Sequence, residues 1–419
     1  MEKKAKVPKL RFPGFAGDWE ERKLGDIVEI IDGDRGNNYP KANDFFKNGH
    51  TLFLSAANIT NKGFEFDDGQ YITEEKSCSM GNGRVEENDI VLTSRGSLGN
   101  VAWCNSLIHR AFPFMRINSG MLILRLRNNG APCFLEQFLR SPIGQEKICF
   151  ISFGSAQPQL TKKDVSAYTV NFPLNIKEQQ KIGEFFKSLD NLITLHQRKL
   201  THLQAKKKSL LQKMFPKKGE RVPEIRFPGF TDAWEQRKLG DIADVRDGTH
   251  DAPLYVVNGH PFVTSKNVKD GFINYDDIQY ISDEDFENIN KRSKVDKNDI
   301  LMGMIGTIGN IALVREEPNY AIKNVALIKD MKKEYYLYLY HYLQSENVVK
   351  QLSTGMDGGT QKFVALNKIR NLEILIPGFQ EQCIVGDFAE QIDNLITLHQ
   401  RKLTHLQTQK KALLQQMFV

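Results

Sequence analysis

The chain has 419 residues, of which 57 are Lys or Arg and 51 Asp or Glu, giving a formal charge of +6; 40% are apolar and 26% charged. That length holds two to four domains with cores of their own, and the composition is globular rather than disordered or fibrous. The slight basic excess permits nucleic acid as a partner without demanding it. No apolar run reaches the length of a membrane span, and the basic start, Met1 to Lys6, has no apolar segment behind it, so a cytoplasmic location without a membrane partner is expected. Five cysteines (Cys78, Cys104, Cys133, Cys149, Cys383) form no C-x-x-C pair and read as reduced thiols, not as a disulfide frame or zinc site.

Along the chain, the first strong feature is the opening block Arg11-Phe12-Pro13-Gly14-Phe15, Trp19-Glu20, Arg22-Lys23-Leu24-Gly25-Asp26-Ile27, which returns as Arg226-Phe227-Pro228-Gly229-Phe230, Trp234-Glu235, Arg237-Lys238-Leu239-Gly240-Asp241-Ile242. The chain contains itself twice. After the block, Ile- and Val-rich residues 27–31 read as a strand, followed by the polar loop Asp34-Arg35-Gly36-Asn37-Asn38. Leu52 to Asn58 echoes Pro261 to Asn267, and Asn88-Asp89-Ile90 with Gly96-Ser97-Leu98-Gly99 echoes Asn298-Asp299-Ile300 with Gly306-Thr307-Ile308-Gly309. Residues 90–93, 121–126 and 372–376 are predicted strands, and residues 131–139 and 334–343 helices. The two glycine-bracketed echoes lack a full G-x-G-x-x-G and read as tight turns between strands. Pro13 and Pro228 lie 215 residues apart, but Asp190 and Asp393 only 203, so the middle of the first copy is longer. Two copies of this size are too few and too large for a solenoid and imply two pseudo-symmetric domains.

Each copy ends in a helical pattern of roughly 39 residues, about 58 Å long at 1.5 Å per residue, opening after Pro173 or Pro377. Asp190 to Gln204 returns unchanged as Asp393 to Gln407. Ile182, Leu189, His196, Leu203 and Leu210 fall seven apart, as do Phe186, Ile193, Leu200, Lys207 and Met214. The second rows are Val385, Ile392, His399, Leu406, Leu413 and Ala389, Ile396, Leu403, Lys410, Met417. These are coiled-coil seams broken by His and Lys at matching places, a device that fixes register. The expectation is a mutual antiparallel pair with an interface of Phe186, Leu189, Ile193, His196, Leu200 and Leu203 against Ile392, Ile396, His399, Leu403 and Leu406. His196 and Lys207, with His399 and Lys410, are expected to specify helix register, so changing Lys207 and Lys410 to Leu should raise stability but permit misassembly; a loss of folding would instead mark paired ions. The fold class is therefore α+β, two globules separated by a pair of long antiparallel coiled-coil helices in a pseudo-two-fold repeat. The expected parts are residues 1–174 and 223–377 as globules, 175–215 and 378–419 as helices, and 216–222 as linker, where Pro216 and Gly219 end the first helix.

Signatures of catalysis are missing: there is no G-x-x-x-x-G-K-[ST], G-x-S-x-G or H-E-x-x-H. His196 and His202, six apart, fall on different helix faces, so no metal site is expected there. Acidic clusters at Glu65, Asp67, Asp68 and at Asp276, Asp277 stand without a nuclease motif. Candidates for nucleic-acid contact lie in the loops that differ between the copies. In the first these are Arg35, Asn37, Asn58, Ser94, Arg95, Ser97, Gln157 and Gln159; in the second Thr249, His250, Lys266, Asn267, Thr307, Gln361 and Lys362. Arg can fork onto guanine and Asn or Gln onto adenine, while Ser, Thr and Lys suit phosphates.

The order globule, helix, globule, helix, with R-F-P-G-F…W-E…R-K-L-G-D openings and D-N-L-I-T-L-H-Q-R-K-L helices, resembles the DNA-specificity subunit of Type I restriction-modification systems. The G-x-x-Q steps at Gly154 and Gly358 and the pairs Glu178-Gln179 and Glu381-Gln382 support it, and the likeness spans essentially the whole chain. The resemblance implies two target-recognition domains, each reading one part of a bipartite double-stranded site. It implies helices that set the unread spacer and dock modification subunits. It also implies a subunit without catalysis or cofactor of its own: two adenine methyltransferase subunits would use S-adenosylmethionine, and two ATP-driven, magnesium-dependent translocating nuclease subunits would cut. By the same resemblance the Arg95 and Gln157 loops, with counterparts near Thr307 and Gln361, sit near DNA. Met304 or Ile305 stands where Arg95 would recur, which leaves room for the two domains to use different loops. A rigid two-headed reader needs half-sites on about the same face of the duplex, roughly 10 base pairs centre to centre. The alternative is a coiled-coil adaptor between proteins that reads no DNA.

Overall fold

One asparagine in each copy shapes the turn before a central strand. Asn88 and Asn298 have φ of 73° and 71°, the left-handed conformation that asparagine tolerates better than most residues. The turns they form feed strands Ile90–Thr93 and Ile300–Gly303, every residue of which is buried. In the computed structural model, which describes residues 7–127, 130–152, 158–251, 253–354 and 363–419, the chain divides into two compact units. One comprises Met1–Gln197 with Arg401–Val419, the other Arg198–Gln400. Each unit thus holds one globule, the head of that globule's own long helix and the tail of the other long helix.

In the first unit a four-stranded antiparallel sheet runs in the order Val28–Asp32, Met121–Leu126, Ile90–Thr93, Val101–Trp103. Strand residues alternate between faces, and both faces are covered. Ile90, Leu92, Leu122 and Leu124 join Phe134 and Phe138 of the helix Pro132–Arg140 in one core. Val91 and Ile123 turn the other way, onto Leu52, Leu54, Met115 and Ile117 of a second four-stranded sheet. In that sheet Thr51–Leu54 runs parallel to Met115–Ile117. The second unit repeats the plan. Its first sheet is Val245–Asp247, Val325–Ile328, Ile300–Gly303, Ile311–Leu313, and its second pairs His260–Thr264 in parallel with Ala321–Lys323. The edges differ. Arg84–Val85 completes the second sheet of the first unit, whereas Tyr255–Val256 extends the opposite edge in the second. The expected strands and the helices Pro132–Arg140 and Tyr336–Tyr342 stand within a residue or two of their sequence positions.

The opening block is a frame. Glu20–Lys23 pairs antiparallel with Thr169–Phe172, and Glu235–Lys238 with Glu373–Ile376, so each block is laced to the strand that precedes its long helix. Arg11 forks onto Glu178 with contacts of 2.6 and 2.8 Å, and Arg226 onto Glu381 with two of 2.7 Å. Planar bidentate pairing of this kind requires arginine. Gln179 accepts from Ala131 N and donates to Pro173 O, as Gln382 accepts from Tyr335 N and donates to Pro377 O. Each E-Q step therefore clamps an arginine on one side and the globule's helix on the other.

The long helices are Ile176–Met214 and Phe379–Met417. Glycine inside a helix costs about 1 kcal/mol, and here close packing requires it. A Cβ at Gly183 would lie 2.7 Å from the backbone carbon of Cys133, and one at Gly386 2.7 Å from Tyr338 N. In the first unit the helix head meets the opposite tail: Lys410 reaches Asp190 at 2.6 Å, and Phe186 stacks on Phe418 at 5.7 Å. In the second, Lys207 reaches Asp393 at 2.7 Å, and Met214 and Phe215 share a core with Val385. Within each unit the partnered residue numbers fall on one helix as they rise on the other, so the segments run antiparallel.

Phe186, Leu189, Leu200 and Leu403 are buried, and Ile193, His196, Leu203, Ile392, Ile396, His399 and Leu406 half-buried. The helix tips go further than a seam. Phe418 packs among Trp19, Phe134, Phe138 and Phe186, and Phe215 among Trp234, Tyr338 and Tyr342. Each globule's core is closed by the end of the other copy's helix. No helix among the described residues is long and apolar enough to cross a membrane.

The seam lysines are paired ions, against the expectation that changing them to Leu raises stability. Burial pulls the Lys410 ammonium below its usual range, and Asp190 offsets part of that. Lys207→Leu should destabilise the second unit by about 1–3 kcal/mol, because Asp393 is left half-buried without a counter-ion. Adding Asp393→Leu should recover most of the loss, and a double-mutant cycle by denaturant unfolding measures the coupling. Phe418→Ala should cost the first unit about 3–5 kcal/mol, read as early unfolding of that unit in hydrogen exchange while the second unit keeps its protection.

Candidate nucleic-acid interface

Four loop segments of the first globule gather around the turn 118–120, two directly and two through a neighbour. Ser94 N and Arg95 N donate to Gly120 O at 2.8 and 3.2 Å, Arg35 donates through its guanidinium to Ser119 O at 3.3 Å, and Leu160 N donates to Ser94 O at 3.0 Å. Ser97 Oγ donates to Ala56 O at 3.3 Å, bringing in the 55–58 turn. The 34–38 loop is set by Asp34, whose carboxylate accepts from Gly36 N at 2.7 Å and Gly81 N at 2.9 Å. Those amides hold its pKa below the usual carboxylate range. Behind the loop, buried Arg116 donates to Ser77 Oγ and to the carbonyls of Met80, Gly81 and Asn82. Sequence reasoning missed Arg116, because nothing local to a strand position marks an inward-facing arginine.

The second globule builds the same cluster around Asn324, whose φ is 53°. Ser265 Oγ donates to Asn324 O at 2.6 Å and accepts from Met304 N at 3.2 Å. Thr307 Oγ1 donates to Ser265 O at 2.5 Å, Thr249 N donates to Ile322 O at 3.1 Å, and Val364 N donates to Met304 O at 3.0 Å. The glycine-bracketed echoes are tight turns, with Gly96 and Gly306 at φ of 76° and 74°.

The expected contact residues divide in two. Arg35, Asn37, Arg95 and Ser97 in the first unit, and His250, Lys266 and Thr307 in the second, are exposed on these rims, with Gln159 and Thr249 half-buried beside them. Asn58, Ser94 and Asn267 face inward, against the expectation that they reach out to bases. Asn58 Oδ1 accepts from Ser55 N at 2.9 Å while its Nδ2 donates to Glu65 O at 3.1 Å; Asn267 does the same with Thr264 N at 2.9 Å and Asn274 O at 3.0 Å. With their amides spent on the fold, they lock the turn on which the rim stands. Gln157, Gln361 and Lys362 lie outside the described residues.

Chemically the rims offer cations and small donors around a backbone turn, suited to phosphates and base edges. The nearest approach to a metal-ligand set among the described residues is His341, Glu390 and Asp393, elsewhere in the second unit. Its carboxylates already pair with Arg315 at 3.2 Å and Lys207 at 2.7 Å, so the node is charge-balanced. Burial lowers the pKa of His341 and favours its neutral form. Gln137 occupies the matching place in the first unit, bonded to Asp190 at 3.1 Å.

Residues 16–205 and 231–408 match the Type I restriction modification DNA specificity domain. The chain belongs to that family. It carries two of these domains in tandem, over most of its length. Among relatives, the type I restriction enzyme MjaVIII specificity subunit of Methanocaldococcus jannaschii is 24% identical over 95% of this chain and 91% of its own. The MjaIX specificity subunit of the same organism is 24% identical over 95% and 92%. The EcoBI specificity subunit of Escherichia coli is 30% identical over 33% of this chain and 29% of its own. Among solved structures, the type I restriction-modification S subunit from M. genitalium superposes with a TM-score of 0.62 at 16% identity, covering 99% of each chain.

Asn267→Ala should lower the stability of the second unit by about 1–3 kcal/mol through two orphaned backbone partners, measured by thermal unfolding. Arg95→Ala, on the exposed rim, should leave unfolding within about 0.5 kcal/mol of the parent.

Proposed function

We propose that each globule reads one half of a bipartite double-stranded DNA target, and that the paired helices set the unread spacer between the halves. The family is one of DNA-specificity components, so the chain binds DNA and assembles with other restriction-modification subunits, and it is not itself catalytic. In this reading residues 1–174 and 223–377 are the target-recognition domains, 175–215 and 378–419 the spacer helices, and 216–222 the linker. The partners are two modification subunits, which dock on the helices and use S-adenosylmethionine, and two restriction subunits working with ATP and magnesium in the cytoplasm. Arg35, Asn37, Arg95, Ser97 and Gln159, together with Gln157, serve one half-site. Thr249, His250, Lys266 and Thr307, together with Gln361 and Lys362, serve the other.

One observation supports this reading: the two copies repeat the same frame contacts at the helix heads, the lysine–aspartate links and the inward asparagines, yet differ in the side chains they leave exposed on equivalent loops. Arg35, Arg95 and Ser97 stand on one rim, His250, Lys266 and Thr307 on the other. Identical scaffolds with unlike rims suit two different sequences. Family membership disfavours the adaptor alternative, which gives the rims no task.

Exchanging residues 28–170 for those of a relative should change one half of the N6-methyladenine motif found by methylome sequencing and leave the other half and the spacer untouched. A change in both halves would refute the modular assignment. Binding should also fall steeply with salt, as phosphate contacts demand.

A further inference from the structure

Asp32-Gly33-Asp34-Arg35 and Asp247-Gly248-Thr249-His250 occupy the same register of the two copies. In each, a basic side chain three residues after an aspartate links its loop to the turn at the centre of the rim. Arg35 lies 3.9 Å from Asp32 and donates to Ser119 O at 3.3 Å. His250 has Nε2 3.0 Å from Asp247 Oδ2 and Nδ1 2.7 Å from Asn324 Oδ1. Both ring nitrogens therefore face oxygen acceptors, and only the imidazolium donates from both at once.

The charged surroundings are few. The other oxygen of Asp247 pairs with Arg292, Asp251 flanks the histidine along the chain, and Thr249 bridges to Lys323 on the neighbouring strand. Asn324 and then Asp247 raise the His250 pKa above its ordinary value, while Arg292 and desolvation oppose them. Arg35, by contrast, stays charged at any physiological pH.

We propose that His250 is the second domain's counterpart of Arg35, a positioning residue whose imidazolium ties the 247–251 loop to the Asn324 turn. DNA binding through the second domain then depends on pH where binding through the first does not. The inference rests on the reading of these loops as the DNA-facing rim. Loss of the proton leaves one ring nitrogen without a hydrogen opposite an acceptor, so the tie opens as pH rises through the raised value and is complete below the ordinary one. Bound phosphates favour the cation further, so association through this domain takes up a proton.

The test uses the full chain assembled with its methyltransferase partner. A randomised duplex pool is first enriched on the complex to define the two half-sites. Duplexes with either half scrambled are then compared with the intact site between about pH 6 and about pH 8.5 at fixed salt, the range in which histidine titrates. The penalty for scrambling the second half should shrink as pH rises, by at most about tenfold per pH unit as one coupled proton allows. The penalty for the first half should stay constant. His250→Arg should make the second-half penalty flat with pH and high, and His250→Gln flat and low. Titration of the His250 ring by NMR in the free chain should give a midpoint above that of an ordinary histidine. Equal pH responses of the two halves, or a response that survives in His250→Arg, would overturn the proposal. So would an ordinary or lowered midpoint, which would mean that Asn324 donates its amide to a neutral ring. A complex that binds no duplex sinks the DNA-reading function as well; discrimination of both halves without pH dependence sinks only the role of His250.

Discussion

The aromatic plug at the tip of each long helix is the contact on which the architecture depends. Phe418 closes a core built from the first copy, and Phe215 closes one built from the second. A globule without its plug would expose Trp19 or Trp234, both of which are 1% accessible. Burying a large aromatic contributes about 1.5–3 kcal/mol, a large share of the margin by which a domain of this size is stable. Each long helix is thereby fixed at both ends, in its own globule by the glutamate–arginine clamp and the Gly183 or Gly386 contact, and in the other by its phenylalanine. The lysine–aspartate links Lys410–Asp190 and Lys207–Asp393 fix the axial position between those ends. An aliphatic seam slides by a heptad at small cost; an ammonium tied to one carboxylate does not.

This anchoring explains why the residues that hold the frame recur in both copies while the rims differ. The frame residues Arg11, Trp19, Glu178, Gln179, Asp190, Lys207 and Phe215, and their partners in the other copy, all serve bonds that tolerate little change. Turns such as 55–58 and 264–267 belong to the same class, because the inward asparagine replaces backbone partners that water cannot supply. Buried charges are handled by local pairing. Arg125 forks onto Asp89 at 2.8 Å, whereas Lys329 takes Asp299 at 2.5 Å together with Asp296 at 2.6 Å. Burial still raises the Asp299 pKa, with Lys329 and two backbone amides opposing it. Rim residues bond among the rim loops rather than to the long helices, and so the rims diverge: guanidinium against imidazole at the Asp-Gly loop, Arg95 against an apolar position, a short strand on opposite sheet edges.

For a DNA-specificity component this division has a functional consequence. Base discrimination needs side chains held within a few tenths of an ångström, and loops achieve that only when their backbones are pinned. The 118–120 turn and the Asn324 turn each hold two neighbouring loops directly and two more through those loops. Specificity can then change through the exposed side chains without disturbing the bonds that hold the helices.

The sequence by itself determined a great deal here, because repetition is visible without structure. Two copies, strands such as 90–93 and 121–126, 39-residue helices and heptad rows at Ile182 and Phe186 all follow from local pattern, since periodicity reports which face is buried. The resemblance to specificity subunits likewise rested on linear motifs. Tertiary structure alone decided what Met214-Phe215 and Met417-Phe418 do, because their partners lie far along the chain and a terminal phenylalanine has no pattern of its own. It also showed that the seam lysines act as paired ions; equal spacing of Asp190 to Lys207 and Asp393 to Lys410 suits a pair, but only antiparallel packing shows that each lysine meets the other copy's aspartate. The same holds for the polar loops. Composition marks Asn58 and Arg95 alike as donors, yet hydrogen-bond demand from the backbone draws one inward and leaves the other on the surface, and that demand exists only once the chain has folded.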